Sequence, residues 1–174
     1  MPIANRRSAL LALATTAVAV PALLQTSAAF AQQMNGEDYR NQTLAAGTFS
    51  LETSRDALNK AQNPMVKEFA QLEVSEQETI AAILTMAANM TPPALPPEKT
   101  TQLQQIQTMA AGPDYDRAYV DAQIAGHQEL LGIQQSISAM TQLSVEVVTA
   151  KLAEQAITSH LAMLNHIREQ LTAA

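Results

Sequence analysis

Ionisable side chains interrupt the apolar faces of the predicted long helices, near the middle of each helix. Carboxylates and imidazoles that converge in a helical bundle are the ligands of Fe, Mn and Zn. Counted from the predicted helix–helix turns, these residues come level once the helices pair in antiparallel fashion. One interpretation of this pattern is therefore a site for one transition-metal ion in the bundle, with Glu73 as an auxiliary oxygen ligand. The five candidate ligands are Glu52, Glu73, Glu76, His127 and His160.

A structural role for the same residues is the competing interpretation. Metal sites of this class usually carry two Glu-x-x-His pairs, but here Ile157 stands three residues before His160 and Glu73 pairs with Glu76. A bundle can bury a Glu–His pair that only satisfies itself and helps to specify the packing. No nucleophile elbow or glycine-rich phosphate loop is present. The leading expectation is thus a non-enzymatic binding or envelope-stress-type structural protein, with metal binding and redox chemistry as the alternative.

The composition excludes several classes of protein. The formal net charge is −6, and it becomes more negative without the arginines near the start of the chain. Because phosphate neutralisation drives nucleic-acid binding, no nucleic-acid partner is expected. The chain contains no cysteine, which excludes disulfides and thiolate metal sites. Either a second copy or an envelope protein could serve as a partner, and the sequence does not decide between them.

The mature chain is predicted to be all-α, with four long helices and one short helix. Asn63-Pro64 and Gly112-Pro113 end helical segments, and the four prolines between 92 and 97 form a stiff connector. Ser144 is the expected N-cap of the last helix. Two helical hairpins joined by this connector form an up-down four-helix bundle. The predicted helices cover 37–62, 64–90, 98–109, 114–140 and 145–171.

Apolar stripes indicate which faces of these helices are buried. Leucines recur every seven residues in the first helix, which is typical of a bundle. In the second and last long helices, the apolar residues expected to face inward include Leu72, Ile83, Val148 and Leu152.

Residues 1–31 have the pattern of an export signal. Arg6 and Arg7 precede an Ala/Leu/Val run over 9–24, and Ala29-Phe30-Ala31 has the small-x-small pattern of a cleavage site. The paired arginines are similar to a twin-arginine signal, which exports folded proteins, while the general secretory route remains an alternative. An uncleaved anchor is a third interpretation. We expect cleavage after Ala31, no membrane span in the mature protein, and a periplasmic or otherwise exported domain over 32–174.

Four stretches of the mature chain resemble the exported bacterial family of unknown function DUF4142. They are 52–58, 63–70, 115–127 and His160-Leu161. The resemblance implies a ferritin-like fold and no settled activity. It also implies that the family's recurring polar positions fall on Glu52, His127 and His160. The family's usual Asp-His pair in the second helix is Glu76-Gln77 here, and an amide is a poor substitute for imidazole as a metal ligand.

Overall fold

The computed structural model describes residues 34–173, and every regular element in that range is a helix. The export signal predicted over 1–31 lies outside the described residues. No described helix combines the length and apolarity that crossing a membrane requires. The all-α prediction is confirmed. The helices are α1 (Gly36–Lys60), α2 (Pro64–Ala88), α3 (Pro97–Thr108), α4 (Pro113–Ser138) and α5 (Val145–Ala173).

Helix boundaries follow from local chemistry. The helices α2, α3 and α4 each begin with proline, whose fixed φ suits the first turn and whose missing N–H is not needed there. Asn63 caps α2 by accepting hydrogen bonds from two backbone amides. Asn89, in the left-handed conformation, ends α2 two residues earlier than expected. Ser144 accepts from the Val147 amide, so its predicted capping role is confirmed.

The bundle contains two antiparallel hairpins, α1–α2 and α4–α5. Across the bundle, α1 packs beside α4 and α2 beside α5. Tyr39 at the start of α1 bonds Gln134 late in α4, and Asp56 late in α1 bonds Tyr115 at the start of α4, so this pair is also antiparallel. The connector with α3 must therefore run the length of the bundle. One long crossover between two hairpins is the ferritin-like arrangement that the resemblance to the family implies.

Part of the predicted apolar face of α2 and α5 is exposed. Leu72 is 50% exposed and Leu152 is 69% exposed, while Ile83 and Val148 are also on the surface. The prediction that these four residues face inward is wrong. Their apolar stripes are wider than the strip that each helix buries against its two neighbours. Ile83, Val148 and Leu152 instead line an open apolar groove between α2 and α5.

A layer of polar side chains divides the core into two apolar halves. One half surrounds Phe69 near the α1–α2 turn, and the other surrounds Leu84 near the α4–α5 turn. Between them, α1, α2 and α4 each contribute fully or almost fully buried polar residues, namely Ser50, Thr53, Glu73, Gln77, Gln123 and His127. Burying polar groups costs free energy unless they are paired. The contacts within this layer therefore determine both the stability and the chemistry of the bundle core.

All three tyrosines of the chain are buried, and each hydroxyl bonds a partner on another helix. Burial raises the pKa of Tyr39 to about 12 and raises the pKa of Tyr115 and Tyr119 as well. Because the folded state favours the neutral phenols, this contribution to stability is present below pH 10 and is lost as the pH rises above it.

We therefore expect alkaline unfolding above pH 10. Tyrosinate absorbance in the ultraviolet should appear together with loss of helical circular dichroism in one cooperative transition. The protein in denaturant provides the control, since its tyrosines should titrate near their ordinary pKa. Gradual ionisation of the tyrosines with full retention of helix would contradict this prediction.

Candidate metal centre

Glu73 lies at the centre of the polar layer and is fully buried on α2. Its two carboxylate oxygens have different surroundings. Oε1 lies 2.6 Å from the Ser50 hydroxyl and accepts a hydrogen bond from Gln77 Nε2 at 3.0 Å. Oε2 has no hydrogen-bond partner among the described residues. In that part of the chain, Arg40 Nε is the one other buried side-chain polar atom without a partner. An unpaired carboxylate oxygen in a core is expensive and calls for a positive charge.

Two imidazoles face this oxygen. His127 of α4 is fully buried, and its Nε2 lies 3.3 Å from Glu73 Oε2. The side chain of His160 of α5 is 13% exposed, and its Nδ1 lies 3.4 Å from the same oxygen. Neither contact has hydrogen-bond geometry. Three helices thus bring two nitrogens and one oxygen close to one another.

The three atoms form a nearly equilateral triangle. Its third side, His127 Nε2 to His160 Nδ1, is 3.2 Å long. A tetrahedral ion with bonds of about 2.0–2.1 Å holds its ligand atoms about 3.3–3.4 Å apart. The sides of 3.2, 3.3 and 3.4 Å therefore match the spacing of ligand atoms around a tetrahedral ion.

The hydrogen bonds behind the imidazoles determine which nitrogens present lone pairs. His127 Nδ1 donates to the carbonyl of Gln123 at 2.8 Å, because a carbonyl can only accept. Neutral His127 therefore directs the lone pair of Nε2 into the triangle. On the other ring, His160 Nε2 lies 3.6 Å from a Glu76 oxygen and so favours a proton there. Such outer contacts orient metal-bound histidines and hold their tautomers.

Without a metal, a proton can supply the missing positive charge. Burial by itself lowers the pKa of His160, but contact with Glu73 and the charge of Glu76 outweigh this effect and raise it. Burial by itself raises the pKa of Glu73, but the two imidazoles and Ser50 reverse this and lower it strongly. Burial raises the pKa of Glu76. Both shifts favour the charged forms, an ionised Glu73 carboxylate beside a His160 imidazolium, and His160 Nδ1 lies 3.2 Å from His127 Nε2.

The remaining walls of the site differ in polarity. Phe69 packs against both imidazoles, with ring centroids 5.7 Å from His127 and 5.4 Å from His160. This ring keeps water from one side of the triangle. On the other side, Glu76 is 26% exposed at the seam between α2 and α5. An ion could enter along this seam, past a carboxylate that attracts it.

The structure brings together Glu73, Glu76, His127 and His160, but not Glu52. Glu52 lies on the surface of α1 and pairs with Arg55 at 2.7 Å, and Arg55 also pairs with Glu78. The next residue along α1, Thr53, lies on the buried face instead, because each residue turns the helix by about 100°. Glu73, expected to be an auxiliary ligand, is the central carboxylate. Glu76 contacts His160 from the edge of the cluster.

Sequence reasoning missed two residues that hold the cluster in place. Gln123 is buried, donates to Thr53 Oγ1 at 2.8 Å, and supplies the carbonyl that orients His127. Ser50 lies 2.6 Å from both Glu73 Oε1 and Gln123 Oε1, so its one proton serves one of them at a time. A signal for Gln123 was present in the sequence, because it precedes His127 by one helical turn. Ser50 gave none, because serine is common on both faces of helices.

Comparison with known proteins places the chain in a family and supports its fold. The family described as domain of unknown function DUF4142 matches residues 21–169, and the chain belongs to this family, as its resemblance indicated. The crystal structure of a DUF305 protein from Streptomyces coelicolor is similar, with a TM-score of 0.67 at 10% identity. That similarity covers 79% of this chain and 92% of the other, and it concerns the fold alone. No curated protein matches the chain in sequence.

Replacement of one imidazole should expose the energetic cost of Glu73. In metal-free protein, we expect His127→Leu to lower the free energy of unfolding by about 3–5 kcal/mol, because it removes a partner from a buried charge. Replacing Glu73 and His127 together by Leu should recover most of this loss, since an apolar pair needs no compensation. Urea unfolding followed by circular dichroism measures both effects.

The exposed His166, whose ring bonds Gln170, offers a matched control on the same helix as His160. His166→Leu should change the stability by no more than about 0.5 kcal/mol. Equal stabilities of the single and double core variants would show that the Glu73 charge is not what the imidazoles compensate.

Proposed function

We propose that this protein is an exported helical bundle that binds one divalent transition-metal ion between Glu73, His127 and His160. The observation that carries the proposal is the triangle of Glu73 Oε2, His127 Nε2 and His160 Nδ1 around an otherwise unpartnered carboxylate oxygen. These three residues also form a candidate metal cluster by the mutual distances of their ligand atoms. The function rests on binding, and no reaction is assigned.

The donor set narrows the choice of ion. Two imidazoles and one carboxylate suit Zn, Fe or Mn, whereas the absence of cysteine from the chain disfavours ions that prefer soft ligands. For bonds of similar length, neighbouring corners of an octahedron would be only about 2.9 Å apart. The longer sides of the observed triangle favour a four-coordinate ion, of which Zn²⁺ is the usual example. The fourth position would then belong to water or to an external ligand.

Metal binding would replace one proton. His160 Nδ1 must lose its proton to become a ligand, while His160 Nε2 can keep its own proton toward Glu76. The carbonyl of Gln123 would do the same for His127. The ion thus takes the place of a charge that the metal-free cluster already needs.

A purely structural role is the second candidate, and one observation favours it. His160 Nδ1 and His127 Nε2 have hydrogen-bond geometry at 3.2 Å, so protonated His160 can bridge Glu73, Glu76 and His127 without any metal. In that case the polar layer would serve to define the packing of the bundle. Measurement of bound metal separates the two candidates.

Native-source protein, never exposed to chelator, should contain one transition-metal ion per chain by elemental analysis. After removal of the metal, titration calorimetry should show one Zn²⁺ bound. Zinc at about 100 times its Kd should add about 2.7 kcal/mol to the free energy of unfolding. The variants Glu73→Ala, His127→Ala and His160→Ala should each lose the bound ion.

Two matched controls test whether the loss is specific. Glu52→Ala and His166→Ala remove the same residue types from the surface and should retain one ion per chain. Metal content far below one per chain in the native protein, together with no zinc binding by the metal-free protein, would favour the structural role instead.

Export is the second part of the proposal and rests on residues 1–31. A twin-arginine route would suit a metal-binding bundle, because folding before transport allows the cell to load the ion first. Mass spectrometry of the envelope fraction should find a mature chain that begins at Gln32. Arg6→Lys with Arg7→Lys should block export if the route is twin-arginine and permit it if the route is general secretion. A membrane-bound chain that retains residues 1–31 would contradict cleavage.

A further inference from the structure

Gln77 is a buried residue whose position is not explained by direct metal binding. It lies one helical turn after Glu73 on α2 and is only 6% exposed. Its Nε2 donates to Glu73 Oε1 at 3.0 Å, on the side of the carboxylate opposite to the imidazoles. The amide therefore stands behind the carboxylate rather than beside the triangle of ligand atoms. Gln77 is not a fourth ligand, and its role must act through Glu73.

Gly47 of α1 makes room for this amide. A Cβ at position 47 would overlap Gln77 Oε1 and would also contact Gln77 Cδ at 3.5 Å. Glycine within a helix costs about 1 kcal/mol relative to alanine, so the position is a poor choice for α1 by itself. By comparison, a Cβ at Gly126 or Gly132 would meet no atom within 4 Å. With glycine at position 47, the Gln77 amide can keep its observed position without being displaced.

Together, Gln77 and Ser50 occupy one oxygen of Glu73. The hydroxyl of Ser50 at 2.6 Å and the amide of Gln77 at 3.0 Å both approach Oε1. Oε2 is left as the atom that faces the imidazoles. A carboxylate held in this way offers one oxygen to a metal, whereas an unrestrained carboxylate can turn and offer two.

From this geometry, and on the basis of the function proposed above, we infer that Gln77 is a positioning residue that determines which ion the site prefers. By keeping Glu73 monodentate, it limits the protein ligands to three atoms and favours small four-coordinate ions such as Zn²⁺ and Co²⁺. Mn²⁺ takes more oxygen ligands and gains from a bidentate carboxylate. Gly47 contributes indirectly, because it allows the amide to reach Glu73.

The test compares Zn²⁺ and Mn²⁺ affinities of the full-length protein, Gln77→Ala, Gly47→Ala and the double variant. Gln77→Ala should weaken Zn²⁺ binding by about 10–100-fold, the usual effect of removing an outer contact from a metal ligand. Mn²⁺ binding should weaken less or improve, so that the Zn²⁺/Mn²⁺ affinity ratio falls. The visible bands of the Co²⁺-loaded variant should also lose intensity as the ion leaves tetrahedral geometry.

Gly47→Ala should resemble Gln77→Ala, because the new methyl group displaces the amide. In the Gln77→Ala background, Gly47→Ala should have no further effect on zinc affinity, since the atom it displaces is already gone. The comparison of Gln77→Ala with the double variant remains possible even if Gly47→Ala alone folds poorly. An additive effect of Gly47→Ala in the double variant would overturn the indirect role of Gly47.

Gln134→Ala provides the matched control for loss of a buried amide. Gln134 is 1% exposed and bonds Tyr39 and Thr43 in the other half of the bundle. This variant should lose stability but keep the wild-type Zn²⁺/Mn²⁺ ratio. If the wild-type chain binds zinc but Gln77→Ala shows an unchanged Zn²⁺/Mn²⁺ affinity ratio and Co²⁺ spectrum, this inference alone is overturned. Absence of zinc binding by the wild-type chain would overturn the proposed function as well.

Discussion

The compensation of one buried carboxylate governs the centre of this bundle. Glu73 cannot be hydrated in the core, and a lone carboxylate there would cost far more than the bundle could recover from nearby apolar contacts. Each of the other three long helices therefore contributes to it: Ser50 from α1, His127 from α4 and His160 from α5. The carboxylate thus couples the packing of all four long helices to the charge state of two imidazoles.

The two oxygens of the Glu73 carboxylate have different surroundings, and this difference determines the chemistry of the cluster. Neutral donors satisfy Oε1, and these donors belong to the scaffold. Oε2 faces groups whose charge can change, and either a proton on His160 or a metal ion can balance it. A cluster with this asymmetry can be stable without metal and still present lone pairs to an ion.

The long crossover between the hairpins is what makes the site possible. Because the chain returns along the bundle before α4 begins, both α1–α4 and α2–α5 are antiparallel neighbours. Positions near the middle of every long helix then meet at one level. The polar layer lies at this level, between the apolar clusters around Phe69 and Leu84, so water is excluded from above and below. The lower effective dielectric strengthens each electrostatic interaction within the layer.

Local features of the fold were determined by the sequence itself. Pro64, Pro97 and Pro113 define helix starts because proline restricts both itself and the residue before it. Seven-residue leucine spacing and the connector prolines indicate two hairpins joined by a stiff connector. The meeting of His127 and His160 followed from counting residues from the turns, since rise per residue is constant in a helix.

The rotation of each helix about its axis was decided by the tertiary structure. A difference of one residue turns a side chain by about 100°, which is enough to place Glu52 with Arg55 on the surface and Thr53 in the core. For the same reason, Leu72 and Leu152 were wrongly expected to face inward. The apolar face of each of their helices is wider than the part that is buried against neighbours. The central role of Glu73 was likewise not readable, because it depends on Ser50, Gln77 and the space left by Gly47. Sequence spacing specifies how far along a helix a residue lies, but only packing against neighbours specifies which way it points.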